Sequence, residues 1–145
     1  MKKISILVII LLTVILTGCG NSSLNELDIN KASAAVEETL KNMEIVEDAT
    51  LEDVYDLDLS KIKNHVIKQN DDGDLYAIIE TNDKTSVKDD MDAYFEKIKE
   101  FNQAYSPERL DILENRLEKE IGNYLIYIVA EDADDIYEDI IDTME

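Results

Sequence analysis

The chain has 145 residues with 34 acidic and 14 basic side chains, one histidine, one cysteine, one proline and a formal charge of −20. That balance argues against nucleic acid as a partner, since phosphate binding needs a basic face. One Cys rules out an internal disulfide, and one Cys with one His disfavours a zinc site. The length suits one domain with one core.

Lys2 and Lys3 precede an apolar segment, Ile4–Leu16, broken only by Ser5 and Thr13, and then Leu16-Thr17-Gly18-Cys19 and the small polar run Gly20-Asn21-Ser22-Ser23. A charged start, a short apolar core and small residues before a cut site describe an export signal. The apolar stretch gives roughly 20 Å of helix, short of the ~30 Å hydrocarbon core. The Leu-Thr-Gly-Cys ending resembles the bacterial lipobox. That resemblance implies a diacylglyceryl group on the Cys19 thiol, cleavage before it, and a protein held by lipid on the extracytoplasmic face of the cell membrane. The expected organisation is a signal peptide over 1–18, a lipidated tether over 19–27 and a single acidic α+β domain over 28–145. Cleavage removes Lys2 and Lys3 from the 14 cationic side chains, leaving 12 against 34 anionic ones, a formal charge of −22. Such a domain is repelled by an anionic bilayer, so lipid rather than charge must hold it there. Its natural neighbours are a cationic protein, a basic peptide or loosely bound divalent cations.

Ile29, Ala32, Val36, Leu40 and Met43 follow helical spacing, with Asp28 placed to cap. A short helix is expected from Thr50, capped by its hydroxyl, carrying Leu51, Val54 and Tyr55 toward a core. His65–Gln69 and Asp74–Thr81 read as two strands. Asp72-Gly73 between them suggests a type I′ hairpin turn, with positive φ at both central residues. Val87, Met91, Tyr94, Ile98, Phe101 and Tyr105 then draw one apolar stripe along a helix from about Lys84 to Ala104, read as core and capped by Asp83 or Ser86. Ser106-Pro107-Glu108 starts a short helix to about Leu113. Arg116–Ile121 and Tyr124–Ala130 are strands joined by Gly122-Asn123, a two-residue turn of the II′ or I′ kind. The second strand is apolar throughout, as one buried on both faces would be. A last helix, about Ala133–Met144, buries Ile136, Ile140, Ile141 and Met144. The fold class is α+β, with an antiparallel sheet of about four strands from two hairpins and helices packed on it. Gly73 and Gly122 each introduce a strand, an acidic break and a helix, a repetition compatible with duplication but also with any compact α+β domain.

The lipobox, the early helix, the acidic Tyr-bearing short helix, the central hairpin, and the long helix ending near Tyr105-Ser106-Pro107-Glu108 form a recognisable series. With Gly122-Asn123-Tyr124 and the acidic last helix, they resemble a family of small lipoproteins of Gram-positive bacteria known only as a domain of unknown function. The resemblance covers nearly all of residues 24–145. It implies a single domain in a monoderm envelope and brings no catalytic residue or cofactor.

The residues themselves offer little chemistry. His65 has no Ser or Cys nucleophile in a recognisable setting, and is read as a strand residue. Counting from the glycine of Asn70-Asp71-Asp72-Gly73-Asp74 as position six of a calcium loop puts Lys68 at position one and Ile79 at position twelve, so two essential ligands fail. Asp132, Asp135, Asp139 and Asp142 form an acidic stripe read as a solvated face. The expected function is a non-catalytic binding or interaction module without a cofactor or metal. The alternative is a small-ligand or divalent-metal-binding lipoprotein for transport or sensing. A pocket lined by Tyr76, Tyr94, Tyr124 or Tyr127 would favour the alternative, and a packed sheet with one exposed aromatic patch the first reading.

Overall fold

The structure, a computed structural model, describes residues 26–144; the signal segment, Cys19 and most of the tether lie outside them. The described residues form five strands, β1 (Glu44–Ile45), β2 (Ile62–Gln69), β3 (Leu75–Thr81), β4 (Leu117–Ile121) and β5 (Tyr124–Val129), and five helices. The helices are α1 (Ile29–Thr39), α2 (Asp48–Asp53), α3 (Lys84–Tyr105), α4 (Leu110–Glu114) and α5 (Ala133–Asp142). The strands form one antiparallel sheet in the order β1-β2-β3-β5-β4. The α+β expectation holds, with five strands rather than four. The added strand is β1, two exposed residues paired with Lys68 and Gln69. A strand so short carries no alternation from which to read it.

The central strands are covered on both faces. Tyr76 and Ile78 of β3, with Tyr124, Ile126 and Ile128 of β5, meet α1 and α5 through Val36, Ile136 and Ile140. Leu75, Ala77 and Ile79, with Leu125, Tyr127 and Val129, meet Leu51, Val87, Met91, Tyr94 and Phe95 on the other face. Alternate residues of one strand thus feed two cores, as the pleat requires. The long helix after the first hairpin and the last helix after the second lie on opposite faces of the sheet. The two hairpin-plus-helix units therefore have opposite hands, and no rotation superposes both hairpins and helices. This geometry gives no support to duplication.

Local chemistry sets the element ends. Asp28 Oδ1 accepts from the backbone N–H groups of Asn30 and Lys31 at 2.9 and 3.2 Å, capping α1 as expected. The helix stops at Thr39 rather than Met43, because Leu40 is extended and Asn42 turns the chain at φ 57° toward β1. The second helix begins at Asp48, two residues before the expected start, so Thr50 lies inside its first turn and is not the cap, and of its expected core residues Leu51 is buried, Tyr55 partly so and Val54 exposed. Asp83 caps α3, its carboxylate accepting from Ser86 N–H at 3.1 Å. The α4 segment enters through a 3-10 turn over Pro107–Arg109.

The first hairpin departs from expectation. Gly73 has φ 85°, but Asp72 is not at positive φ, which excludes type I′. Asn70 O accepts from Gly73 N–H, and Asp74 O from Asn70 N–H, both at 3.1 Å. This is a three-residue loop, a type I turn followed by a left-handed glycine. The Asn70 side chain decides it by accepting from Asp74 N–H at 2.9 Å. The second hairpin is the expected two-residue turn, with Ile121 opposite Tyr124. Gly122 is at φ 55° and Asn123 is not at positive φ, the II′ pattern.

One polar cluster ties α1 to the sheet. Glu37 Oε1 accepts from Lys68 Nζ at 2.6 Å, Tyr76 OH at 2.9 Å and Ser33 Oγ at 3.1 Å. Ser33 Oγ and the Tyr76 oxygen also lie 2.6 Å apart, and with one proton on each hydroxyl two protons serve the three contacts among Ser33, Tyr76 and Glu37. Burial works to raise the Glu37 pKa, but the bonds from Lys68, Tyr76 and Ser33 outweigh it and hold the carboxyl below its ordinary 4.5.

The turn glycines differ in what surrounds them. A Cβ on Gly73 would lie 3.0 Å from Arg109 Nε, whereas one on Gly122 would meet nothing within 4 Å. Gly122→Val should therefore cost about 1–2 kcal/mol of left-handed strain alone. Gly73→Val should cost more, about 2–3 kcal/mol, and Asn102→Val, inside α3, less than about 1 kcal/mol. Equal melting of both glycine variants and the parent would remove the tight turns from this account. For Glu37, a lowered folded-state pKa contributes stability above the unfolded value, lost as pH falls through the folded value. Glu37→Gln should destabilise by about 1–2 kcal/mol at pH 7, and the gap should narrow below about pH 4 in urea titrations.

Candidate functional site

The length of α3 creates the site. Its 22 residues span about 33 Å at ~1.5 Å each, whereas the seven of β3 span only about 24 Å. The helix starts just after β3 ends and runs back along it, so its last turns overhang the sheet. Val87, Met91 and Tyr94 are fully buried and Ile98 partly so, but Phe101 is 59% and Tyr105 74% exposed. The apolar stripe does not end as core; its last two residues outrun the surface that would have covered them. They lie against each other instead, with ring centroids 4.9 Å apart and planes tilted by 38°.

Three neighbours turn this overhang into a cleft of about 460 Å³. The β2–β3 loop contributes Asn70, Asp71, Asp72 and Gly73, the end of the α2 segment contributes Tyr55, and the chain after α3 contributes Ser106, Glu108 and Arg109. Tyr55 leans on Tyr94, ring centroids 4.4 Å apart. The Tyr94 hydroxyl beneath has no hydrogen-bond partner, and burial, then the Tyr55 phenol, pushes its pKa up. Arg109 Nη2 donates to Asp74 Oδ1 at 2.8 Å, strapping the segment after the overhang to the hairpin. Asp71, Asp72 and Glu108 are exposed and make no ion pair among the described residues.

The four tyrosines named from sequence are not brought together. Tyr76 and Tyr124 pack on the α1/α5 face, and Tyr94 and Tyr127 on the other. Tyr124 alone reaches a smaller cleft of about 280 Å³, beside Leu27, Gly122 and Met144. His65 sits on β2 with Nε2 3.1 Å from Asp48 Oδ1. Asp132, Asp135, Asp139 and Asp142 run along exposed parts of α5. A second cleft of about 550 Å³, between the α4 end, β4 and the start of α5, also carries exposed acids without ion pairs among the described residues, Asp111, Glu131 and Asp134, but no aromatic ring lines it. There Arg116 holds Glu118 at 2.7 Å and covers the Phe95 ring at 4.3 Å, and Leu117, Ala130 and Ala133 are buried. Of these three clefts, the one at the α3 overhang couples exposed aromatics to unpaired charge. Sequence reasoning placed Phe101 and Tyr105 in the core; comparing helix length with strand length was the signal that would have placed them outside it.

Among the described residues no helix is long and apolar enough to cross a membrane. No curated protein and no solved structure matches the chain. A family described as a domain of unknown function, DUF4358, matches residues 34–130, from within α1 to just past β5. That span holds the whole sheet, α3 and the cleft, and the chain belongs to this family.

Proposed function

We propose that this protein is an extracytoplasmic lipoprotein of a Gram-positive envelope, anchored through lipid on Cys19, whose domain is a non-catalytic binding module. The observation that carries the binding reading is the exposed, mutually packed Phe101–Tyr105 pair beside a cleft, on a fold whose other large aromatics are largely buried. Exposed aromatics grouped at one place mark interaction surfaces more often than single scattered ones do.

The position of the tether fits the same reading. Leu27 lies beside Gly122 and Asn123, and Thr81 N–H donates to Asn123 O at 2.9 Å, so the tether meets the domain where β3 ends. The cleft lies at the start of β3, about 24 Å away along the strand. From Gly20 to Leu27 the tether reaches at most about 25–30 Å. A chain anchored at Cys19 would hold one pole close to the bilayer and present the aromatic pair at the other. Unlike the lipid reading, the binding reading needs nothing from residues 1–25.

Cys19→Ala should move the protein out of the membrane fraction while its melting stays within about 0.5 kcal/mol of the parent. Retention through a high-salt wash would mean that Ile4–Leu16 itself is the anchor. Cross-linking of the anchored protein in its own membrane should yield a discrete adduct that Phe101→Ser/Tyr105→Ser abolishes. An adduct indifferent to that double substitution would remove the aromatic pair from the binding surface.

A further inference from the structure

We infer that the cleft at the α3 overhang takes a basic segment of a partner protein, with an Arg or Lys side chain over the Phe101–Tyr105 pair and neighbouring cations against Asp71, Asp72 and Glu108. This rests on the binding reading above and names the partner's chemistry. Charge is the first argument. The rim carries three carboxylates without ion pairs, and its one cation, Arg109, is already committed to Asp74. An approaching cation therefore meets no competing ligand for those acids, and the strongly negative domain steers it in.

The aromatic pair is the second argument. Ring faces attract guanidinium and ammonium groups at about 0.5–1 kcal/mol when exposed and more when desolvated. The described residues already use this contact, with Arg116 over Phe95 at 4.3 Å and Lys119 Nζ 5.6 Å from the Tyr137 ring centre. Other occupants fit less well. A second copy would bring the same unpaired acids against these, and an anionic lipid surface would be repelled.

The test uses the full-length protein in nonionic detergent and a fluorescently labelled decapeptide of alternating Arg and Ser, read by anisotropy at roughly 0.15 M salt. Saturable binding is expected. Asp71→Asn/Asp72→Asn/Glu108→Gln should weaken it about tenfold or more, and so should Phe101→Ser/Tyr105→Ser, which leaves the charge unchanged. A charge-matched control on α5, Asp135→Asn/Asp139→Asn/Asp142→Asn, should change it less than about threefold. Equal weakening by the two acid-to-amide triples would mean attraction by net charge alone and would overturn the inference. So would indifference to the aromatic variant, the lack of saturable binding, or a Phe101-dependent dimer in sedimentation. If the peptide fails while the membrane cross-link still needs Phe101 and Tyr105, the binding reading survives and only the basic partner falls.

Discussion

The pairing of β3 with β5 is the constraint on which the rest depends. Leu75–Ile79 are buried without interruption and so are all six residues of β5, so neither strand has a face to offer water. Two antiparallel strands buried on both sides must be covered on both sides, and the chain has to send helices each way. The long helix and α2 cover one face; α1 and α5 cover the other. The outer strands are correspondingly poor in apolar side chains. At one edge β4 shows Glu118, Lys119 and Glu120 to solvent, and at the other β1 is only two residues long, two ways of discouraging edge-to-edge pairing. Glu120 also accepts from Lys88 and Lys84, which pull its carboxyl down to about 2 and tie that edge to α3.

Much of this was legible in the amino-acid sequence because period and turn chemistry agree. The unbroken apolar run Tyr124–Ala130 announces a strand covered on both faces, and Asp28 and Asp83 announce helix starts. The departures have separate physical causes. A glycine after Asp72 is shared by two kinds of hairpin loop, and the choice was made by the Asn70 side chain bonding to Asp74 N–H, a preference the dipeptide alone does not encode. The start of α2 was misplaced because Thr50 is a good cap in general, while Glu47 occupies the position without any side-chain bond. The site was hidden for a different reason. Hydrophobic periodicity says which side of a helix is apolar, not how much of that side has something to lie against.

Membership in a family that is known only as a domain of unknown function leaves the chemistry of the domain to its surfaces. The matched span, residues 34–130, contains the five strands, α3 and the cleft, whereas α5 lies beyond it. That helix nonetheless supplies Ile136 and Ile140, both fully buried, to the core it shares with α1. Its outward aspartates are the solvent side of a packed helix.

The contact between Arg109 and the hairpin bears on entropy. A helix end projecting past its sheet would ordinarily fray, and aromatic side chains on a frayed end would have to be ordered by whatever they met. Here Ser106 N–H donates to Asn102 O at 2.9 Å, and three residues later the Arg109 guanidinium is fastened to Asp74. Gly73 lacks the Cβ that would press on it. The overhang is therefore gripped beyond its free end, like a beam supported at both ends rather than a cantilever. The backbone that carries the two rings is held before any encounter, so an incoming chain need not order that helix end as well.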